Sequence, residues 1–299
     1  MNWNRSKILI IFYTLILVAV FSNQIYNQDK KNIEVDPYDA HVAELKKKLP
    51  NAEFNIVIQK PFVVVGDVSL DHLKNRWANK TIKWAVEKLK ESYFQKDPTE
   101  ILDIWLFKDK ESYIKHNKIL WDNEPTTPYG YYSAQNKVLV MNISTGGGTL
   151  VHEIVHPYMH ANFPDCPAWF NEGLGSLYEQ SSEKDGKIWG ETNWRLAGLK
   201  IAINDKKLPS FEKLTSFTNW QFYNSGNDGY SSNYAQSRYL LYYLQEKDLL
   251  ISYYKEFTKN QKEDPTGFNT LKTILKETDM VDFQKRWEAY ALKLTFNGK

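Results

Sequence analysis

The chain has 299 residues, with 38 basic and 36 acidic side chains and a formal net charge of +2. That balance leaves no electrostatic footprint for nucleic acid. The single cysteine, Cys166, excludes an internal disulfide framework and a cysteine-built zinc site. The length fits one large domain or two small ones, with enough chain to bury a substantial core.

Arg5 and Lys7 precede an apolar run from Ile8 to Phe21, and the uncharged stretch continues to Gln28. This pattern marks residues 1–28 as a signal peptide or an uncleaved signal anchor. Either form places the rest of the chain outside the cytoplasm: secreted, periplasmic or at the cell surface, and membrane-attached if the segment is retained. Residues 29–50 read as a charged stalk, in which Asp36-Pro37 opens a short helix ending near Pro50.

The folded domain is expected over 51–299. FNIVI (54–58) and FVVVGDV (62–68) read as strands, rich in β-branched residues. Ile82, Val86, Leu89 and Tyr93 recur at helical spacing within a helix predicted over 70–94. ILDIWLF (101–107) is the third strand, a short helix follows Asp109, WDNEPTTPYGYY (121–132) is a loop, and KVLVMNIS (137–144) is the fourth strand. From there to the C-terminus the pattern is helix and loop. A mixed first half followed by a helical second half gives an α+β fold.

The chemistry lies in VHEIVHPYMH, residues 151–160, which follows the turn TGGG (145–148). His152 and His156 lie on one helix face and can reach one metal ion; Glu153 is placed to act as a general base. A zinc ion held in this way supplies a water of pKa about 7 and a polarised carbonyl. A third ligand is still needed. His160 is eight residues from His152, about 12 Å along a straight helix, which is too far for one ion. Asn162 occupies the place where a metzincin carries its third histidine. Asp165 is a minor candidate. Glu172, in PAWFNEGLGSLYE (167–179), is the better one: 16 residues past His156, it allows a loop and a second, antiparallel helix. Trp169, Leu174, Leu177 and Tyr178 would bury that helix, and Gly173 and Gly175 would let it approach closely.

HEIVH followed by PAWFNEGLG resembles the gluzincin metallopeptidases, in particular the peptidase-MA-like group with its W-x-x-E-G second helix. The resemblance covers most of residues 60–250. It implies a zincin-like fold, with an upper mixed α/β lobe, a lower helical lobe and a cleft between them. It also implies one zinc ion on His152, His156 and Glu172, Glu153 as the base, and a peptide or protein substrate laid along the strand at Val138 to Ile143. A tyrosine facing the zinc is typical of such enzymes; by distance from Glu172 this is Tyr234, with Tyr230 as second choice. Three features depart from the pattern. Pro157 follows the second histidine. The aminopeptidase G-x-M-E-N signature is absent. Ser176 stands four residues past Glu172, where the thermolysin branch carries an aspartate. The alternative is a catalytically silent binding module of the same fold at the cell surface.

Overall fold

A computed structural model describes residues 36–224 and 232–298. The apolar N-terminal run and Tyr230 lie outside the described residues. Contacts divide the chain into Met1–Lys47 and Lys48–Lys299. In the first unit the described structure is the expected short helix, α1 (Pro37–Lys48), opened by Asp36, whose Oδ1 accepts the Tyr38 amide at 2.9 Å. Among the described residues no helix is long and apolar enough to cross a membrane.

The second unit opens with β1 (Asn55–Gln59) and β2 (Phe62–Gly66), paired antiparallel. A helical run, α2, follows as three consecutive stretches: Leu70–His72, Leu73–Lys83 and Trp84–Ser92. Its middle stretch is π-helical. Leu73 and Ala78, and Trp77 and Ile82, recur at five-residue spacing and are all buried, a wider period than an α-helix provides. Next come β3 (Leu102–Phe107), α3 (Lys110–Trp121), β4 (Gly130–Ser133) and β5 (Val138–Asn142). The sheet order is β1-β2-β3-β5-β4, with β2, β3 and β5 parallel and both edge strands antiparallel. The parallel strands are the apolar ones: every residue of β2 and β5 is buried.

The segment 121–132, expected as loop, contributes the start of β4. Its tyrosines pair through Tyr131↔Val140 and Tyr132↔Leu139, and four short residues after a proline-rich stretch gave no readable alternation. This corrects the expected cleft edge. Val138 to Ile143 cannot be an edge strand, because β5 is covered by β4 on one side and β3 on the other.

After β5, a turn at Ile143–Thr145 and Gly146, at φ 102°, bring the chain into α4 (Gly148–Asn162). Pro157 does not end this helix, although it removes the amide that would bond the Glu153 carbonyl. α5 (Ala168–Tyr178) follows, with Trp169, Leu174, Leu177 and Tyr178 buried as expected. A hairpin of β6 (Ser181–Lys184) and β7 (Lys187–Gly190) then interrupts the helical half. It was not expected: β6 is the polar run Ser-Ser-Glu-Lys, with neither β-branched residues nor alternation. The remainder is helical: α6 (Arg195–Asn204), α7 (Phe211–Thr215), α8 (Asn219–Asn224), α9 (Ser232–Glu246), α10 (Leu250–Asn260), α11 (Phe268–Leu275) and α12 (Met280–Lys293). The α+β class expected from the sequence is the one observed.

Candidate metal centre

Helices α4 and α5 build the centre together. Leu150, Val151, Ile154, Val155, Tyr158 and Met159 bury α4 against the core. This directs His152, Glu153 and His156 inward to the floor of a cleft of about 1600 Å³. The two imidazole rings lie 4.9 Å apart, and with Glu153 they form a buried group able to hold a metal ion. α5 runs antiparallel beside α4, its Glu172 level with both histidines and its Glu179 level with His152.

Glu172 Oε2 is 3.2 Å from His152 Nε2 and 3.9 Å from His156 Nε2. Glu153 Oε2 is 3.7 Å from His156 Nε2. The opposite ring nitrogens each face a side-chain oxygen. Asn171 Oδ1 accepts from His156 Nδ1 at 3.0 Å, and Glu179 Oε1 lies 3.0 Å from His152 Nδ1 at an oblique angle. Both imidazoles therefore turn the same nitrogen, Nε2, toward Glu172. Tyr223 of α8 donates to Glu172 Oε1 at 2.7 Å and fixes that carboxylate from the other side.

The electrostatics favour a cation. Burial acts to push Glu172 up, but His156, His152 and Tyr223 outweigh it and hold the carboxyl at about 2. Burial likewise opposes ionisation of Glu179, which His152 and Arg195 hold at about 2. Burial would lower His152, yet the Glu172 and Glu179 carboxylates raise it to about 10. The Glu153 carboxyl is pushed upward, chiefly by burial. Three carboxylates face two guanidinium groups, Arg195 paired with Glu179 and the buried Arg238 beyond it, so with both histidines neutral the buried cluster carries one surplus negative charge when all three acids are ionised. A metal cation offsets that surplus, and two imidazoles plus a carboxylate form a donor set for a divalent ion.

The structure brings together His152, Glu153, His156 and Glu172. Tyr234 also lines the cleft; its hydroxyl has no hydrogen bond to any described residue, and its ring lies 5.3 Å from the Arg195 guanidinium carbon. His160 is exposed and lines the cleft, and Asp165 is exposed and does not line it. Sequence reasoning missed Asn171, Glu179, Arg195 and Tyr223. Glu179 left a legible signal: seven residues beyond Glu172, it falls on the same face of α5 two turns on. Arg195 and Tyr223 come from distant elements that carry no motif.

Gly175 is required by this packing. A Cβ there would sit 2.9 Å from His152 Cδ2 and 3.0 Å from His152 Nε2. Gly175→Ala is expected to displace the ring and weaken Zn²⁺ binding about tenfold or more, measured by competition with a chromophoric chelator. Unchanged affinity would show that the ring tolerates the shift.

A family model described as a protein of unknown function, DUF1570, matches residues 147–264. The match starts at the glycine turn before α4 and contains every residue of the centre described above. No curated protein matches the chain.

Proposed function

We propose that the chain is a zinc-dependent metallopeptidase acting outside the cytoplasm, with His152, His156 and Glu172 as metal ligands. The observation that carries this reading is the convergence of two imidazole Nε2 atoms on one Glu172 oxygen, with Glu153 beside them, in a cleft of about 1600 Å³. Zinc held there would supply an acidic water and a polarised substrate carbonyl. Glu153 takes the proton of the attacking water and returns it to the leaving amine. Its upward-shifted carboxyl suits that exchange better than an ordinary glutamate does. The apolar N-terminal run supports export, and an uncleaved run would keep the enzyme on the membrane.

Substrate would lie against β4. Gly130, Tyr131 and Tyr132 line the cleft, and among the described residues β4 pairs with β5 alone, so its outer edge offers main-chain donors and acceptors to an extended peptide. Tyr132 also stacks on His156, with ring centroids 6.5 Å apart.

The two cleft tyrosines have different roles. Tyr223 spends its hydroxyl on Glu172 and positions a ligand. Tyr234 has no hydrogen bond from its hydroxyl among the described residues and is the proposed donor for the oxyanion that develops on the substrate carbonyl. Tyr234→Phe is expected to lower kcat about 10²–10³-fold with zinc affinity kept. Tyr223→Phe is expected to weaken zinc binding first and turnover only in proportion. Measuring kcat and zinc affinity on both variants checks the assignment, and the reverse pattern would exchange the two roles.

The experiment for the function itself is metal analysis of the purified chain by mass spectrometry, followed by a quenched-fluorescent peptide library. One zinc per chain with hydrolysis that stops on chelation supports the proposal. Zinc without hydrolysis of any peptide would leave a metal-binding module, and no zinc after equilibration with the ion would remove the enzyme reading.

A further inference from the structure

We infer that Glu179 and Arg195 form the device that orients His152 toward the metal, in place of the aspartate whose position Ser176 occupies. The inference rests on the metal-site reading above and adds two positioning residues to it. Glu172 and Glu179 are seven residues apart, so both carboxylates leave α5 on one face, two turns apart. His152 stands between them: Glu172 Oε2 is 3.2 Å from Nε2, and Glu179 Oε1 is 3.0 Å from Nδ1. Nε2 is hydrogen-bonded to Glu172 and Nδ1 lies against the Glu179 carboxylate off the hydrogen-bond axis; a carboxylate at Nδ1 favours the tautomer whose Nε2 lone pair is free for a metal.

Glu179 is itself held. Arg195, the first residue of α6, donates from Nε to Oε2 at 2.9 Å and from Nη2 to Oε1 at 2.7 Å. Asn193 adds a longer contact to Oε2 at 3.4 Å. This two-toothed pairing fixes the carboxylate plane, so that Oε1 stays directed at the ring. The backbone of Glu179 serves the same placement. Its carbonyl oxygen would lie 2.1 Å from a Cβ at Gly148, so the first turn of α4 rests directly on Glu179. One residue thus sets both the start of the helix that carries His152 and the orientation of the His152 ring. A simple structural ion pair between α5 and α6 would need neither the 3.0 Å approach to Nδ1 nor the position level with His152. The equivalent nitrogen of His156 is served more simply, by the neutral Asn171 of α5.

The test is Zn²⁺ affinity by chelator competition, with the absorption spectrum of the Co²⁺-substituted protein and the melting temperature of the metal-free protein, on the full chain. Glu179→Gln is expected to weaken zinc binding about 10–100-fold and to shift the cobalt bands, because ligand orientation changes. The metal-free melting curve should stay cooperative. Glu183→Gln, on the same cleft but touching neither histidine, should bind zinc as the parent does. Parent-like affinity and spectrum in Glu179→Gln would overturn the inference and leave the metal site standing. So would an equal loss in Glu183→Gln, which would reduce the effect to general cleft charge. If Glu179→Gln does not fold, Arg195→Lys retains the charge but loses the fork. About tenfold weaker zinc binding or less, with a shifted cobalt spectrum, is then expected; no change in either would overturn the inference. A parent that binds no zinc fails the metal reading itself, an outcome distinct from these.

Discussion

Glu153→Gln is expected to lower peptide hydrolysis about 10²–10⁴-fold, the usual contribution of a positioned general base, while the protein keeps its zinc. The amide fills the same volume and can still accept a hydrogen bond, but it cannot take a proton. The variant also separates two roles that the geometry places close together, since Glu153 belongs to the same buried group as the histidines. As a ligand it would have to be shared between both rings; it lies 3.7 Å from His156 Nε2 and within 4.8 Å of a His152 nitrogen. Glu172 approaches both Nε2 atoms. Its approach to both rings is why the proposed mechanism gives Glu172 the ligand role and Glu153 the base role. Loss of zinc from Glu153→Gln, with Glu172→Gln still loaded, would reverse that assignment. Turnover within about tenfold of the parent would remove Glu153 from the proton path.

The centre was legible to the extent that it obeys local periodicity. Spacing of four puts His152 and His156 on one face, and the gap of 16 residues to Glu172 allows the antiparallel return that α4 and α5 make. The supporting groups follow a different logic. Ser176 lacks the carboxylate expected one turn past Glu172, and Glu179 supplies it one turn later still, which works because Gly148 and Gly175 let the helices close at that level. Such a substitution cannot be read until the level of contact between the helices is known. Tyr223 is further from reach: α8 is six residues long and carries no pattern linking it to α5. In the fold, the buried parallel strands announced themselves through β-branched runs, whereas β4 and β6 did not. Both are four-residue outer strands held by pairing to a neighbour, and tertiary context rather than propensity made them strands.

Removing the metal is expected to lower the melting temperature by about 5–10 °C when zinc had been present at about 100 times its Kd. At that ratio the ion contributes about 2.7 kcal/mol to the folded state, and a domain of this size moves by about 2–4 °C per kcal/mol. The difference should also depend on pH with a definite sign. In the metal-free protein, burial disfavours a charged His152, but the Glu172 and Glu179 carboxylates outweigh it and lift the ring to about 10. A raised folded value contributes stability below the unfolded value of about 6.5, and that stability is lost as the pH climbs toward the folded one. Glu172 and Glu179, held at about 2 against burial, act in the opposite direction: they stabilise above about pH 4.5 and lose that contribution as the pH falls toward 2. The metal-free protein should therefore weaken from about pH 6.5 upward. In the loaded protein the ion takes the place of the His152 proton, so the alkaline loss disappears, and binding releases a proton and tightens as the pH rises. Melting curves with zinc and with a chelator, compared at about pH 6 and about pH 9, should show a gap that widens with pH. A gap that stays constant or narrows would mean that no proton leaves His152 when the metal enters, and that the imidazole is not its ligand.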